Sequence, residues 1–127
     1  MDIRISNADP RPIYAQVCAQ IKQAILSGAL GEGEALPSIR ALAKDLRISV
    51  ITTKRAYEEL ERDGYVHTVA GKGCYVAPKD RDVVREDCLR RIEGQMEEAL
   101  RLARSCDVGI DELIEMLRTL NSEGASL

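Results

Sequence analysis

Between residues 38 and 73 the chain gathers side chains of the kinds that hold anions and touch base edges: Ser38, Arg40, Ser49, Thr52, Lys54 and Lys72. Ser38 and Ser49 each stand just ahead of a helical apolar pattern, where a hydroxyl caps the first turn. A helix N-terminus concentrates unpaired N–H groups and partial positive charge, so both first turns are suited to grip a phosphate. Thr52 donates or accepts at a base edge or phosphate, and Lys54 adds a cation. Val50 and Ile51 offer apolar surface of the kind that meets a thymine methyl. Their competing reading is that one or both tuck under the preceding helix. Arg40 reaches a backbone phosphate or a guanine if its helix crosses the duplex, and otherwise is solvated or paired with Asp45. Lys72, between Gly71 and Gly73, puts one cation on a tip without side-chain bulk, which fits a phosphate or minor-groove contact.

Other chemistry finds little support. Cys18, Cys74, Cys88 and Cys106 lie far apart with no CxxC pair, and His67 is the single histidine, so zinc-ligand spacing is lacking and reduced, unpaired thiols are expected. Cys74, near the glycine-rich tip, is the thiol expected to be oxidisable. A cysteine nucleophile would need a base and an orienter, and the sequence offers no such set. Gly71–Lys72–Gly73 has no preceding strand and following helix of the kind a nucleotide loop requires. No catalytic residue, metal or cofactor is expected.

The elements that position these residues follow from periodicity. Ile3 and Ile5 alternate with polar neighbours, as a short strand or extended arm would. Pro12 then opens a helix whose stripe is Ile13, Val17, Ile21 and Ile25, with Cys18 and Ala24 beside it, and Gly28 ends it. The stretch from Gly28 to Gly33 reads as loop. Ile39, Leu42, Ala43 and Leu46 form one face of a two-turn helix, and Arg47 and Ile48 make a turn. A second helix runs from Ser49 to about Asp63, with Thr53, Ala56, Tyr57 and Leu60 inward and Gly64 as terminator. Tyr65 to Val69 and Cys74 to Val76 are β-prone and flank hairpin chemistry at Ala70–Gly71–Lys72–Gly73. The order of helix, turn, helix and hairpin is the plan of a winged helix-turn-helix.

From about Arg81 the pattern changes to a long helix with Leu89, Ile92, Met96, Ala99, Ala103 and Cys106 at three- and four-residue steps, a seam like that of a coiled coil. After a break at Asp107 to Gly109, Leu113, Ile114, Leu117 and Leu120 mark a second amphipathic helix, and the tail from Asn121 is expected to fray. Two such helices cannot close a core alone. Either a second copy or the N-terminal module must cover them. The first reading makes Leu89, Ile92, Met96, Ala99, Leu113, Leu117 and Leu120 a dimer seam.

Charge position matters more than the formal net charge of −3. Residues 1–79 hold 11 Lys and Arg against 9 Asp and Glu, whereas residues 80–127 hold 7 against 12. The acids of the first part cluster in Glu58, Glu59, Glu61 and Asp63, which leaves Arg40, Lys44, Arg47, Lys54, Arg55 and Lys72 as one basic face. No apolar run approaches the roughly 20 residues of a membrane span, and the N-terminus lacks a signal-peptide profile, so a cytoplasmic protein is expected.

The run Leu36-Pro37-Ser38-Ile39-Arg40, Leu42-Ala43, Ile48 to Glu61, Gly64 and Gly71-Lys72-Gly73 closely resembles the DNA-binding module of the GntR family, and the short two-helix tail resembles its YtrA subfamily. The resemblance implies a homodimeric bacterial repressor, often encoded beside ABC transporter genes, that binds a palindromic double-stranded DNA operator and lacks a large metabolite-binding domain. It places DNA contacts on Arg40, Ser49, Thr52, Lys54, Gly71 and Lys72. Many members have an arginine where Val50 stands, so that guanine contact is not available here. Arg47 stands where the family often has Gly, and Cys74 where it often has a small hydroxyl residue.

The expected architecture is mainly α with a small β wing: residues 1–78 as a DNA-binding winged helix-turn-helix, and residues 79–127 as a short helical dimerisation tail. A winged-helix module that binds protein instead of DNA is the alternative, since folds do not fix functions. Whether a small-molecule effector exists is unknown from sequence; with so short a tail it would bind at the dimer seam or act through the helix after the wing.

Overall fold

The computed structural model describes residues 1–78 and 82–125. Five helices and one hairpin follow in the order α1 (Ile13–Leu26), α2 (Ile39–Leu46), α3 (Val50–Arg62), β1 (Val66–Val69), β2 (Gly73–Val76), α4 (Asp82–Ser105) and α5 (Ile110–Ala125). The helix start expected near Arg81 and the last two residues of the tail lie outside the described residues. The chain divides into two compact units between Asp87 and Cys88, within α4.

In the first unit, α1 lays Val17, Ile21 and Ile25 into the core beside Cys18. The stripe expected from Ile13 begins at Val17, because Ile13 stands in the first turn and is exposed. The N-terminal residues form an extended arm, not a strand. Gln16 and Gln20, one turn apart on α1, take the place of a strand neighbour. Gln20 accepts from the Arg4 N–H at 2.9 Å and donates to the Arg4 carbonyl at 2.7 Å, and Gln16 does the same at Ser6 at 2.9 and 3.0 Å. Ile3 is thereby buried.

Helices α2 and α3 bury Leu42, Ala43, Thr53, Ala56, Tyr57 and Leu60, whereas Ile39 and Leu46, expected on the same inward face of α2, are only half-buried at its two ends. Tyr57 donates to the Pro37 carbonyl at 2.7 Å, fixing the approach to α2. Gly64 follows α3 with φ +84°, and a Cβ there would lie 3.0 Å from the Val83 side chain. Only glycine suits both the left-handed backbone and this close approach.

The hairpin is antiparallel, with Val66 opposite Val76 and Val69 opposite Gly73. Gly73, expected in the turn, is the first residue of β2. A third extended segment lies along the free edge of β2: Leu36 N–H donates to the Cys74 carbonyl and Val76 N–H to the Glu34 carbonyl, both at 2.9 Å. The wing is thus tied to the residues that lead into α2.

In the second unit, the later turns of α4 and α5 carry their apolar residues largely exposed. Val108 N–H reaches back to the Ala103 carbonyl at 2.8 Å, and Asp107 adopts φ 59° at the break. Helix α5 continues to Ala125, past the fraying expected from Asn121. No proline interrupts this stretch, and Gly124 alone costs only about 1 kcal/mol of helix propensity.

Candidate nucleic-acid interface

Both helix starts in the turn motif are built as their serines foretell. Ser38 Oγ accepts from Ala41 N–H at 3.1 Å, and Ser49 Oγ accepts from Thr52 N–H at 3.0 Å. Neither α2 nor α3 has an acid in its first turn, so the partial positive charge at each N-terminus is left uncompensated. Ser49 also donates its hydroxyl proton to Thr52 Oγ1 at 2.8 Å. That bond occupies an acceptor site of Thr52 and leaves the threonine hydroxyl as a donor.

Arg47 joins the two helices with φ 56° and ψ 46°, in the left-handed region. Ile48 N–H bonds the Ala43 carbonyl at 3.0 Å, closing the end of α2. The turn sends α3 off with Val50 and Ile51 outward, at 47 % and 80 % exposure, so the reading that tucks them under α2 is excluded. Thr52 is half-buried and Lys54 exposed. Lys54 lies 3.9 Å from Glu58, in an exposed pair of little energetic weight.

The wing tip turns on Gly71 at φ +75°, with Lys72 N–H bonded to the Val69 carbonyl at 2.9 Å and the Lys72 side chain exposed. Tyr75 Oη donates to the Lys72 carbonyl at 3.1 Å and steadies the tip. Thr68 N–H donates to Glu61 Oε2 at 2.7 Å, which joins β1 to α3. Cys74 is half-buried, and burial pushes its thiol above its ordinary range.

The start of α2, the outer face of α3 and the wing meet around one groove of about 520 Å³. Ser38, Arg40, Lys54, Lys72 and Gly73 line it together with Leu36, Pro37, Tyr57 and Cys74. Ser49, Val50, Ile51, Thr52 and Gly71 are not among its lining residues; all but Gly71 belong to the first turn of α3 and its cap. The competing reading that pairs Arg40 with Asp45 finds no such ion pair among the described residues.

Arg55 is the departure from the expected basic face. Its guanidinium lies 3.8 Å over the Tyr14 ring, with Nη2 donating to Tyr14 Oη at 3.1 Å. Sequence reasoning missed this pair because Tyr14 and Arg55 are 41 residues apart. It also missed the contribution of Pro37 and Tyr57 to the groove, since nothing local marks a core tyrosine as a wall.

On the second unit, Ile92, Met96, Ala99, Leu113, Leu117 and Leu120 line an apolar groove of about 440 Å³ between the facing turns of α4 and α5. Leu89 is exposed and is not among the lining residues.

Residues 13–76 match the family described as bacterial regulatory proteins, gntR family. The chain is 31 % identical over 118 residues to the HTH-type transcriptional repressor YtrA of Bacillus subtilis, covering 91 % of each chain. The crystal structure of a transcriptional antiterminator from Listeria monocytogenes EGD-e superposes with a TM-score of 0.77 at 28 % identity, over 95 % of this chain and 90 % of that one. The DNA-binding domain of AraR, solved in complex with operator ORE1, gives a TM-score of 0.52 at 26 % identity, over 61 % of this chain and 94 % of that one.

Proposed function

This chain belongs to the GntR family of bacterial regulatory proteins and is a DNA-binding transcription regulator with a winged helix-turn-helix; from that premise we propose that it is a cytoplasmic homodimeric repressor that binds a palindromic operator. Residues 1–78 are the reading head in this proposal, and residues 79–127 the dimerisation tail. The genes it controls include those of an ABC transporter, as the resemblance to the YtrA subfamily implies.

The observation that carries the reading is the first turn of α3. Two exposed aliphatic side chains, a hydroxyl donor and a capped, acid-free N-terminus stand there together. Water gives Val50 and Ile51, exposed side by side at 47 % and 80 %, no favourable partner. A major groove does: its thymine methyls match Val50 and Ile51, and its base-edge acceptors match Thr52. Arg40 and Lys72, on either side, supply phosphate contacts that fix the register. The AraR domain bound to its operator is a precedent for a head of this fold on DNA.

Support for two copies comes from the apolar groove of α4 and α5, which covers Ile92, Met96, Leu113 and Leu117 only in part. A second copy supplies the missing wall and pairs two heads on one duplex, so a palindrome follows from the symmetry of the protein. No helix among the described residues is long and apolar enough to cross a membrane.

Footprinting on the DNA upstream of the chain's own gene tests the whole reading. It should reveal two protected half-sites of inverted sequence about 10 base pairs apart, or a multiple of that. Affinity should fall steeply with salt, and Lys72→Ala should weaken binding alike on all sequences and reduce the salt slope by about 1. Protection of a single half-site, or association indifferent to salt, would refute it.

A further inference from the structure

The groove between α2, α3 and the wing has more apolar wall than a phosphate contact needs. Leu36 and Tyr57 are buried beneath it, and Cys74 and Pro37 are half-buried in its floor. At about 520 Å³ it lies within the range of about 300–1,000 Å³ typical of small-molecule sites. Its cations are Arg40, Lys54 and Lys72, and its acids Glu58 and Glu61. Glu61 accepts the Thr68 N–H at 2.7 Å, and Glu58 faces Lys54 at 3.9 Å in an exposed pair. Arg40 and Lys72 have no side-chain partner of either kind among the described residues.

We propose that this groove binds a small organic carboxylate with an aromatic or acyl body, and that such a ligand competes with the DNA backbone. The apolar body rests on Leu36, Pro37, Tyr57 and Cys74, and the carboxylate takes Arg40 as a bidentate partner with Lys72 closing from the wing. The anion stands where a backbone phosphate would stand, so occupancy removes two cationic contacts at once and obstructs the approach of the wing. This rests on the DNA-binding reading for its regulatory consequence, though not for the existence of the site. It places an effector in the reading head, away from the dimer seam and the helix after the wing, where the sequence had left room for one.

Cys74 reports occupancy directly. The free protein, without DNA, is alkylated with iodoacetamide, and modification is followed by peptide mass mapping with exposed Cys106 as internal reference. The probe is naphthalenecarboxylate, and its neutral counterpart is naphthalenemethanol. At a carboxylate concentration of about ten times its dissociation constant, alkylation of Cys74 should slow about tenfold and that of Cys106 should not change. Arg40→Gln and Lys72→Gln, both at exposed positions, should each weaken the protection, and the alcohol should protect far less.

Unchanged alkylation of Cys74 at saturating carboxylate overturns the proposal, as does equal protection by the alcohol or protection that survives both substitutions. Operator affinity is measured separately by fluorescence anisotropy. Protection without any DNA binding keeps the ligand site and removes its regulatory role. DNA binding without protection removes the site and leaves the DNA-binding reading intact.

Discussion

Lys22 Nζ lies 2.9 Å from Asp87 Oδ2, in a buried ion pair that fastens the first turns of α4 to α1. Asp63, at the end of α3, approaches the same ammonium at 2.8 Å, and Tyr65 Oη donates to Asp87 at 2.9 Å. Cys18 sits one turn before Lys22 on α1. Burial would lower the Lys22 pKa, but its hydrogen bonds to Asp63 and Asp87 outweigh that and raise it above the ordinary 10.5. Burial also pushes the Cys18 thiol up to about 11, with Lys22 opposing only in part.

Alkaline instability follows from these two groups. Both folded pKa values exceed their unfolded ones, so each contribution is intact below the unfolded value and is lost as pH rises through the folded one. For Cys18 the window runs from its ordinary 9.0 to about 11, and the loss across it is about 3 kcal/mol. Urea unfolding measured across this range should show stability falling above about pH 9. Cys18→Ala should flatten the first part of that fall, leaving the later loss carried by Lys22. An unaltered slope in Cys18→Ala would remove the thiol as its cause.

Arg47 offers a gain in stability. Its φ of 56° costs an L-residue about 1 kcal/mol that glycine does not pay. Arg47→Gly should therefore raise the unfolding free energy by up to about 1 kcal/mol, read as a higher urea midpoint with the same slope. A lower midpoint would mean that the arginine side chain makes a stabilising contact worth more than the backbone strain.

Much of this was legible in the residues themselves. Ser38 and Ser49 announced their caps, the apolar steps from Ile39 to Leu60 announced two helices, and Ala70 to Lys72 announced the hairpin tip, though Gly73 belongs to β2. Each of these signals lies within a few residues of its consequence. What stayed hidden depends on chain segments that meet only after folding: Gln16 and Gln20 holding the arm, Glu34 and Leu36 pairing with β2, and Tyr14 beneath Arg55. Lys22 was unreadable for the same reason. A lysine within an apolar stripe looks misplaced until Asp63 and Asp87, 41 and 65 residues away, are brought to it.

The Ser49–Thr52 pair separates stability from specificity. Ser49→Ala removes the cap and should cost about 1 kcal/mol of stability, seen as a lower urea midpoint. Thr52→Val keeps the shape and deletes only the hydroxyl, whose protein partner is the exposed Ser49. It should leave the midpoint within about 0.5 kcal/mol. Against a panel of single-base variants of the operator, the same substitution should flatten discrimination at one position per half-site. Discrimination retained at every position would mean that Thr52 reads no base.

Leu117 tests the seam. It is 56 % exposed on α5 and lines the apolar groove with Ile92 and Met96, so a carboxylate there would be driven into the interface of a dimer but costs little on a monomer surface. Leu117→Glu should sediment as a monomer where the parent chain is a dimer, while the first unit keeps its unfolding transition. The second head then loses its tether, and the advantage of two linked heads on one duplex is typically about 10²–10⁴ in affinity. The variant should accordingly bind a full palindrome no better than a single half-site. A Leu117→Glu protein that still sediments as a dimer and still prefers the palindrome would place the association surface elsewhere on the chain.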